Sequence, residues 1–361
     1  MQTVRITKPP KTATHAGAHA LAESRRETVS HVDGVTSVQQ KDQRGQKKWT
    51  DSSWWPWLKR CLTLAFFALV TWLVVSQARA VEWQQVLEVM RNYSTRALIS
   101  AVGLAAASYL LYSCFDLIGR LYTGHQLSKP VVMLVTAVSY AFNLNLGSWV
   151  GGIAFRYRLY SLLGLSNGTV TRVMSLSMLA NWTGYMLLAG AVFAFQPPTL
   201  PEGWTISASG MRWVGLGLLL TATAYAGLCA LSKTRSFNVR GHIIELPSLP
   251  MALVQMAMGA SNWLLMSGII FMLLQHQVEF TAVISVLLLA AIAGVITHVP
   301  ANLGVLEAVF VALLSHIVAA PELLAALVVY RILYYLIPLA LAGAAFLALE
   351  LHLRRLQNKA T

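Results

Sequence analysis

Between Glu245 and Glu279 the chain carries no Asp, Glu, Lys or Arg, and after Glu279 it carries none until Glu307. An uncharged apolar run of about 18 residues or more is long enough to cross the ~30 Å hydrocarbon core of a bilayer as a helix. Backbone amides in hydrocarbon must find their partners inside the protein, so only helices and closed barrels can span. These runs are unbroken and lack the period-two alternation of a barrel strand. The expected fold class is an all-α polytopic membrane protein. Composition agrees: 56% of the residues are hydrophobic and 11% charged, too little charge to cover a soluble surface of this size.

The net charge of +13 does not mark a nucleic-acid binder. Its Lys and Arg residues gather in the N-terminal tail, in short loops and at the C-terminus, which is the positive-inside pattern of a multi-pass membrane protein. Residues 1–53 are polar, mixed in charge and without the apolar stretch of a signal peptide, and are expected to be a disordered cytoplasmic tail. Residues 54–352 form the transmembrane domain, entered through the interfacial sequence WWPWLKR, and residues 353–361 a short basic cytoplasmic tail. Spans are expected near 58–78, 97–119, 170–195, 211–231, 250–274, 281–297 and 321–350, with a short apolar segment at 304–318. If residues 130–152 crossed completely, the later basic loops would invert. If they dip in and return, every basic loop lies on one side. The charge pattern therefore predicts a re-entrant segment there, both termini in the cytoplasm, and about eight transmembrane helices when 304–318 is counted. Cys61, Cys114 and Cys229 lie in apolar runs without metal-ligand spacing, so neither a disulfide nor a metal or other cofactor is expected.

Two stretches break the rules of a membrane helix: Asn143-Leu-Asn145-Leu-Gly147-Ser-Trp-Val-Gly151-Gly152 and His298-Val-Pro300-Ala-Asn302-Leu-Gly304. Irregular backbone at membrane depth survives only when buried in protein or lining a wet cavity. Paired interruptions are a pointer to a transport site, and tight turns are the plainer alternative. No sequence repeat is visible, so an inverted repeat stands as a hypothesis. Arg331 lies about ten residues into the last span, too deep to snorkel easily, and needs a partner or water. Glu307 is its nearest candidate in sequence, and Tyr334 and Tyr335 share its helix face. The pair fits a structural lock and a ligand site equally well. Asp116, with Arg120 one turn on, reads as an interfacial pair. Asn181 and Asn262 are mid-span groups suited to interhelical hydrogen bonds. Arg156 and Arg158 flank Tyr157 beside the first break, where two guanidiniums suit a phosphate, although topology alone also explains them.

Enzyme signatures are sparse: there is no HExxH, no CxxC and no Walker loop. The sequence GASNW (259–263) has only a superficial likeness to an intramembrane-protease serine loop, with His298 as its imagined base. The stretches NLNLGSWVGGIAFRYRLYSLLGLS, HVPANLGVLEAVF and YRILYYLIPL resemble motifs of the transmembrane, flippase-type region of bacterial lysylphosphatidylglycerol synthases (multiple peptide resistance factors) and its stand-alone relatives. The resemblance covers about residues 55–355, with Asn302 standing where that family usually has Gly. It implies a bacterial inner-membrane protein that translocates or handles anionic or aminoacylated phospholipid. The aminoacyltransferase domain of the full synthases has no counterpart in these 361 residues. On this reading Arg156 and Arg158 would receive a lipid phosphate at the inner face, the two breaks, with Asn143, Asn145, His298 and Asn302, would line one polar cavity, and Arg331 with Glu307 would form its charge gate. Asp116, Asn181 and Tyr334 complete the candidates for lipid binding or gating. Membrane phospholipids are the expected partners, with a homo-oligomer or an envelope protein left open. The alternatives are a non-transporting scaffold or accessory subunit of a lipid or envelope biogenesis machine, and then a membrane enzyme.

Overall fold

The computed structural model describes residues 83–198, 207–232, 236–239 and 242–360. The expected tail 1–53 and first span 58–78 lie outside the described residues. A short helix α1 (Trp83–Arg91) leads into α2 (Thr95–Ser113) and α3 (Phe115–Thr123), one span kinked at Cys114. Next come α4 (Lys129–Leu146), a π-helix (Ser148–Ala154), α5 (Phe155–Leu162), α6 (Asn167–Phe195) and α7 (Ala208–Leu231). A short antiparallel pair, β1 (Ser236–Val239) and β2 (His242–Glu245), is registered Phe237 to Ile244. Then follow α8 (Leu249–Leu273), α9 (Phe280–Thr297), a 3-10 turn (Pro300–Asn302) and α10 (Val305–Leu314). The chain closes with α11 (Ala320–Arg331), a second π-helix (Ile332–Leu336) and α12 (Ile337–Ala360).

Many of these ends are written locally. Ser94, Ser166 and Ser207 accept the N–H groups of Ala97, Thr169 and Gly210 at the starts of α2, α6 and α7. Pro130, Pro250 and Pro321 sit in the first turns of α4, α8 and α11, where a missing N–H costs nothing. Six helices among the described residues are long and apolar enough to cross a membrane. The chain is a multi-pass α-helical membrane protein. The segment expected at 304–318 is only the ten-residue α10, ~15 Å of helix, so it is a half-span.

Two helical hairpins organise the bundle. In the first, α4 turns at Gly147 (φ 80°) and the chain returns through the π-helix and α5. The arms come back together: the ring of His125, just before α4, is 6.4 Å from the ring of Tyr160 in α5. In the second, α9 turns through residues 298–304 and packs against the returning α10. Glu322, just beyond it, shares a cavity wall with Gln275 and Gln277, just before α9. The two mouths lie at opposite ends of α8. The Ser248 N–H at its start donates to Tyr122 Oη at 3.0 Å, beside the first mouth, and Leu273 at its end lines the cavity at the second. The tips meet inside, where α4 packs on the Pro300–Asn302 turn. Span, hairpin, span therefore occurs twice in opposite senses, as α2–α3, first hairpin, α6 and as α8, second hairpin, α11–α12, with α7 between.

Packing follows from this order. Ile269, Ile270, Leu287, Phe310, Leu327 and Tyr330 are fully or nearly fully buried in the main core. Val135, Val138, Tyr160 and Val173 bury the first hairpin against α6. α6 and α8 approach so closely that a Cβ on Gly184 would collide with the backbone of Gly259 and Ala260, the small-residue contact expected where lipid supplies no hydrophobic drive. Trp213, Leu216, Leu220 and Leu228 of α7 are exposed, as apolar side chains on a membrane-spanning helix can be.

Candidate functional site

The second break is held by Arg331. Its Nε and Nη2 form a fork on the two Glu307 carboxylate oxygens, the Nη2 contact being 2.9 Å. Nη1 and Nη2 also donate to the carbonyls of Ala301 and Asn302, both at 2.9 Å. Those two residues have positive φ, 55° and 52°, a conformation that costs free energy outside glycine. Arg331 thus pins a strained turn as well as a carboxylate, and its edge lies over the Tyr335 ring, 5.3 Å from the centroid. Asn302 Nδ2 donates to the Ala290 carbonyl at 3.0 Å, folding the turn back on α9 where Gly294 leaves it room. His298 closes α9 in the left-handed region, exposed, with Nδ1 3.0 Å from the Ile296 carbonyl.

The centre of the bundle holds a closed polar ring. Asn262 Nδ2 donates to Tyr140 Oη at 3.5 Å and Ser108 Oγ donates to Asn262 Oδ1 at 2.7 Å. Tyr140 Oη meets Tyr334 Oη at 2.8 Å, and Tyr334 Oη meets Ser108 Oγ at 2.6 Å. Every member is satisfied when Tyr140 donates to Tyr334 and Tyr334 to Ser108. The ring joins α8, α4, the second π-helix and α2. Next to it, Pro338 has no N–H to offer the carbonyl four residues back. That carbonyl, of Tyr334, accepts instead from Tyr109 Oη at 3.1 Å. The neighbouring Tyr335 carbonyl accepts from Asn145 Nδ2 at 3.2 Å, which ties the tip of the first hairpin to the last span. Tyr334 and Asn145 are thus engaged within the protein.

Arg156 has a different environment. It is 4% exposed, and its Nε stands 3.3 Å from Asp116 Oδ2 without making a hydrogen bond. Nη2 has a long bond to Ser177 Oγ, 3.4 Å, and the Tyr112 ring lies 6.0 Å away. Asp116 is fully buried. It accepts Tyr160 Oη at 2.9 Å on Oδ2, while its Oδ1 has no partner. Beside Arg156 lies a cavity of about 100 Å³ whose polar lining includes Ser139, Asn143, Asn181 and Ser148. Ser139 Oγ is buried and unpartnered. Met178 and Trp182, both part-exposed on α6, also line it. Buried polar atoms without a protein partner are rare, and here they gather around one cavity. At the mouth of this hairpin, burial and the Arg120 cation hold His125 below the ordinary histidine range, with Asp116 pulling weakly the other way.

Arg156, Asp116, Asn143 and Asn181 thus come together, and Glu307, Arg331 and Asn302 form a separate group that does not line the cavity. Arg158 does not join Arg156. Residues two apart on a helix point in different directions, and Arg158 is exposed with its guanidinium 5.7 Å from the Phe346 ring centroid. The expected Asp116–Arg120 pair is replaced. Arg120 Nε donates to the Leu127 carbonyl at 2.7 Å, and Asp116 turns inward to Arg156. Sequence reasoning passed over Ser139, Tyr112 and Tyr160. The signal for all three was the helical four-residue step: Tyr112 precedes Asp116 by four, Ser139 precedes Asn143 by four, and Tyr160 follows Arg156 by four.

The family model described as the lysylphosphatidylglycerol synthase TM region matches residues 61–342. An inner membrane protein of Escherichia coli (strain K12), YbhN, is 47% identical over 306 residues, covering 84% of this chain and 96% of that one. An uncharacterised protein of a Synechocystis species is 30% identical over 298 residues, 81% of this chain and 92% of its own. A phosphatidylglycerol lysyltransferase of Staphylococcus haemolyticus is 22% identical over 297 residues, 79% of this chain but 33% of that enzyme. The chain belongs to the family of the lysylphosphatidylglycerol synthase TM region.

Proposed function

We propose that the chain binds phospholipid headgroups in the cavity beside Arg156 and passes them between leaflets. The observation that carries this reading is the contrast between two arginines inside the bundle. Arg331 makes four hydrogen bonds to protein acceptors. Arg156 has only a long bond to Ser177 and the Tyr112 hydroxyl for neutral partners, and it lines a cavity with its Nε unbonded. A guanidinium with free donors in a partly dry site is built for a bidentate oxyanion. Part-exposed Met178 and Trp182 in the cavity lining suit a site that headgroups enter while acyl chains stay in lipid. Hairpins entering from opposite ends and meeting at their tips suit alternating exposure of one site. The basic mouth of the first hairpin faces the cytoplasm by the positive-inside rule, in a bacterial inner membrane. The name of the lysyltransferase relative favours phosphatidylglycerol or its aminoacylated form as the lipid.

The test is reconstitution in liposomes with headgroup-labelled phosphatidylglycerol, following label exposed to an impermeant quencher. Wild type should move label, and Arg156→Ala should move little at equal incorporation. Wild type that moves none of phosphatidylglycerol, its lysyl form or phosphatidylethanolamine removes the reading.

A further inference from the structure

A lipid phosphate at Arg156 would compete with Asp116 for one cation. Resting on the headgroup reading above, a phosphodiester in the cavity brings a second negative charge to a guanidinium already 3.3 Å from a fully buried carboxylate. Two anions on one buried cation leave a net charge in a medium of low dielectric, which is costly. The phosphodiester takes no proton near neutral pH, whereas a carboxylate can. We propose that binding of a phospholipid phosphodiester at Arg156 is coupled to uptake of one proton by Asp116, so that the lipid step is proton-linked.

Geometry supplies both the seat and the route. Asp116 Oδ1 is buried and unpartnered, free to carry the proton. Tyr160 Oη reaches the other oxygen at 2.9 Å, and the Tyr160 ring lies 6.4 Å from that of His125. Both nitrogens of His125 are buried without a partner, in the loop at the mouth of the hairpin, a residue type that exchanges protons near neutrality. Water can bridge gaps of this size. The groups around Asp116 are few. α2 brings Tyr112, α5 brings Arg156 and Tyr160, and the loop brings His125. Its own helix brings Arg120, engaged by the Leu127 carbonyl. α6 brings the neutral Ser177, through Arg156, and α4 the neutral Thr136, through Tyr160.

The experiment measures binding of short-chain phosphatidylglycerol to the purified protein by calorimetry across about pH 6 to 8, a window centred near neutrality. Uptake of one proton makes the affinity fall by up to about tenfold per pH unit on the alkaline side. Asp116→Asn, its competing charge gone, should bind without that slope, and His125→Gln should keep it. Where Asp116→Asn does not fold, protons counted on wild type in two buffers of different ionisation heat decide: one per lipid supports the proposal and none overturns it. Binding without a slope overturns the proton link and leaves the headgroup reading standing. A slope lost in His125→Gln but kept in Asp116→Asn overturns the assignment to Asp116. Equal affinity for the chain-free diester glycerophosphoglycerol makes the ligand a free anion and overturns its lipid source. Absence of binding, or binding indifferent to Arg156→Lys, overturns the headgroup reading itself and the coupling with it.

Discussion

Arg156 is buried and Arg331 largely so, and their different surroundings predict different losses. Arg331→Leu strands the Glu307 carboxylate and the Ala301 and Asn302 carbonyls. It should destabilise the fold by about 3–5 kcal/mol, read as a lower melting temperature in detergent. Replacing Glu307 together with Arg331 by leucines removes the stranded charge but still orphans the carbonyls, so recovery should be partial. Arg156→Lys keeps the charge and loses the planar fork. It should melt near wild type and bind headgroup about tenfold more weakly, ~1.4 kcal/mol. His125 belongs to a third class. Its folded form resists protonation through burial and Arg120, so as pH falls the unfolded chain takes the proton first. Its stabilising effect is present above the ordinary histidine value and is lost on acidification below it. His125→Gln should flatten the acid limb of melting temperature against pH. The sequence exposed Arg331 because charge in an apolar run is conspicuous, and Arg156 because it flanks the first break together with Arg158. It could not say which was saturated, since the acceptors on Arg331 include two backbone carbonyls that depend on the turn conformation.

At the scale of elements, the first hairpin depends on two small residues. A Cβ on Gly151 would collide with the Phe142 carbonyl, and one on Gly152 would stand 2.7 Å from Asn143 Oδ1. Gly151→Ala should therefore abolish folded protein in the membrane fraction, while Gly103→Ala, which points into open space, should leave the yield unchanged. The last span shows how far a single residue reaches. Pro338 interrupts the helical hydrogen bonding by its own chemistry. Its consequence, a carbonyl offered sideways to Tyr109, required knowing that α2 lies alongside. The same limit hid Ser108 and Tyr140. A lone Ser or Tyr in an apolar helix has many innocuous uses, and only the packing of four elements shows them closing a ring. The breaks themselves were legible, since Gly, Pro and Asn interrupt helices by their own backbone chemistry.

Across the whole molecule, charge placement gave the re-entrant first segment, because positive-inside bookkeeping fails if it crosses. The inverted order of the two halves was not legible. It lies in the directions of elements rather than in matching residues: one returning arm is a π-helix plus α5 and the other is the ten-residue α10. With native cysteines replaced, Gln126→Cys and Ser161→Cys should label from one face of the membrane, and Gln275→Cys and Ser315→Cys from the other. Labelling of Ser161→Cys from the same face as Gln275→Cys would contradict the two opposed mouths.

The second π-helix, Ile332–Leu336, has a consequence for insertions and deletions. A π-turn holds one residue more than the α-helix that frames it. Loss of a single residue from this stretch should be absorbed as a regular helix, leaving Arg331 before it and Pro338 after it in nearly their old places. Such a shortened chain should still insert and accumulate. Losing a residue would rotate Tyr334 and Tyr335 about the helix axis, away from Tyr109 and Asn145, so the two halves would be built but no longer joined through this span. A one-codon deletion is thus a finer probe of their connection than any side-chain replacement.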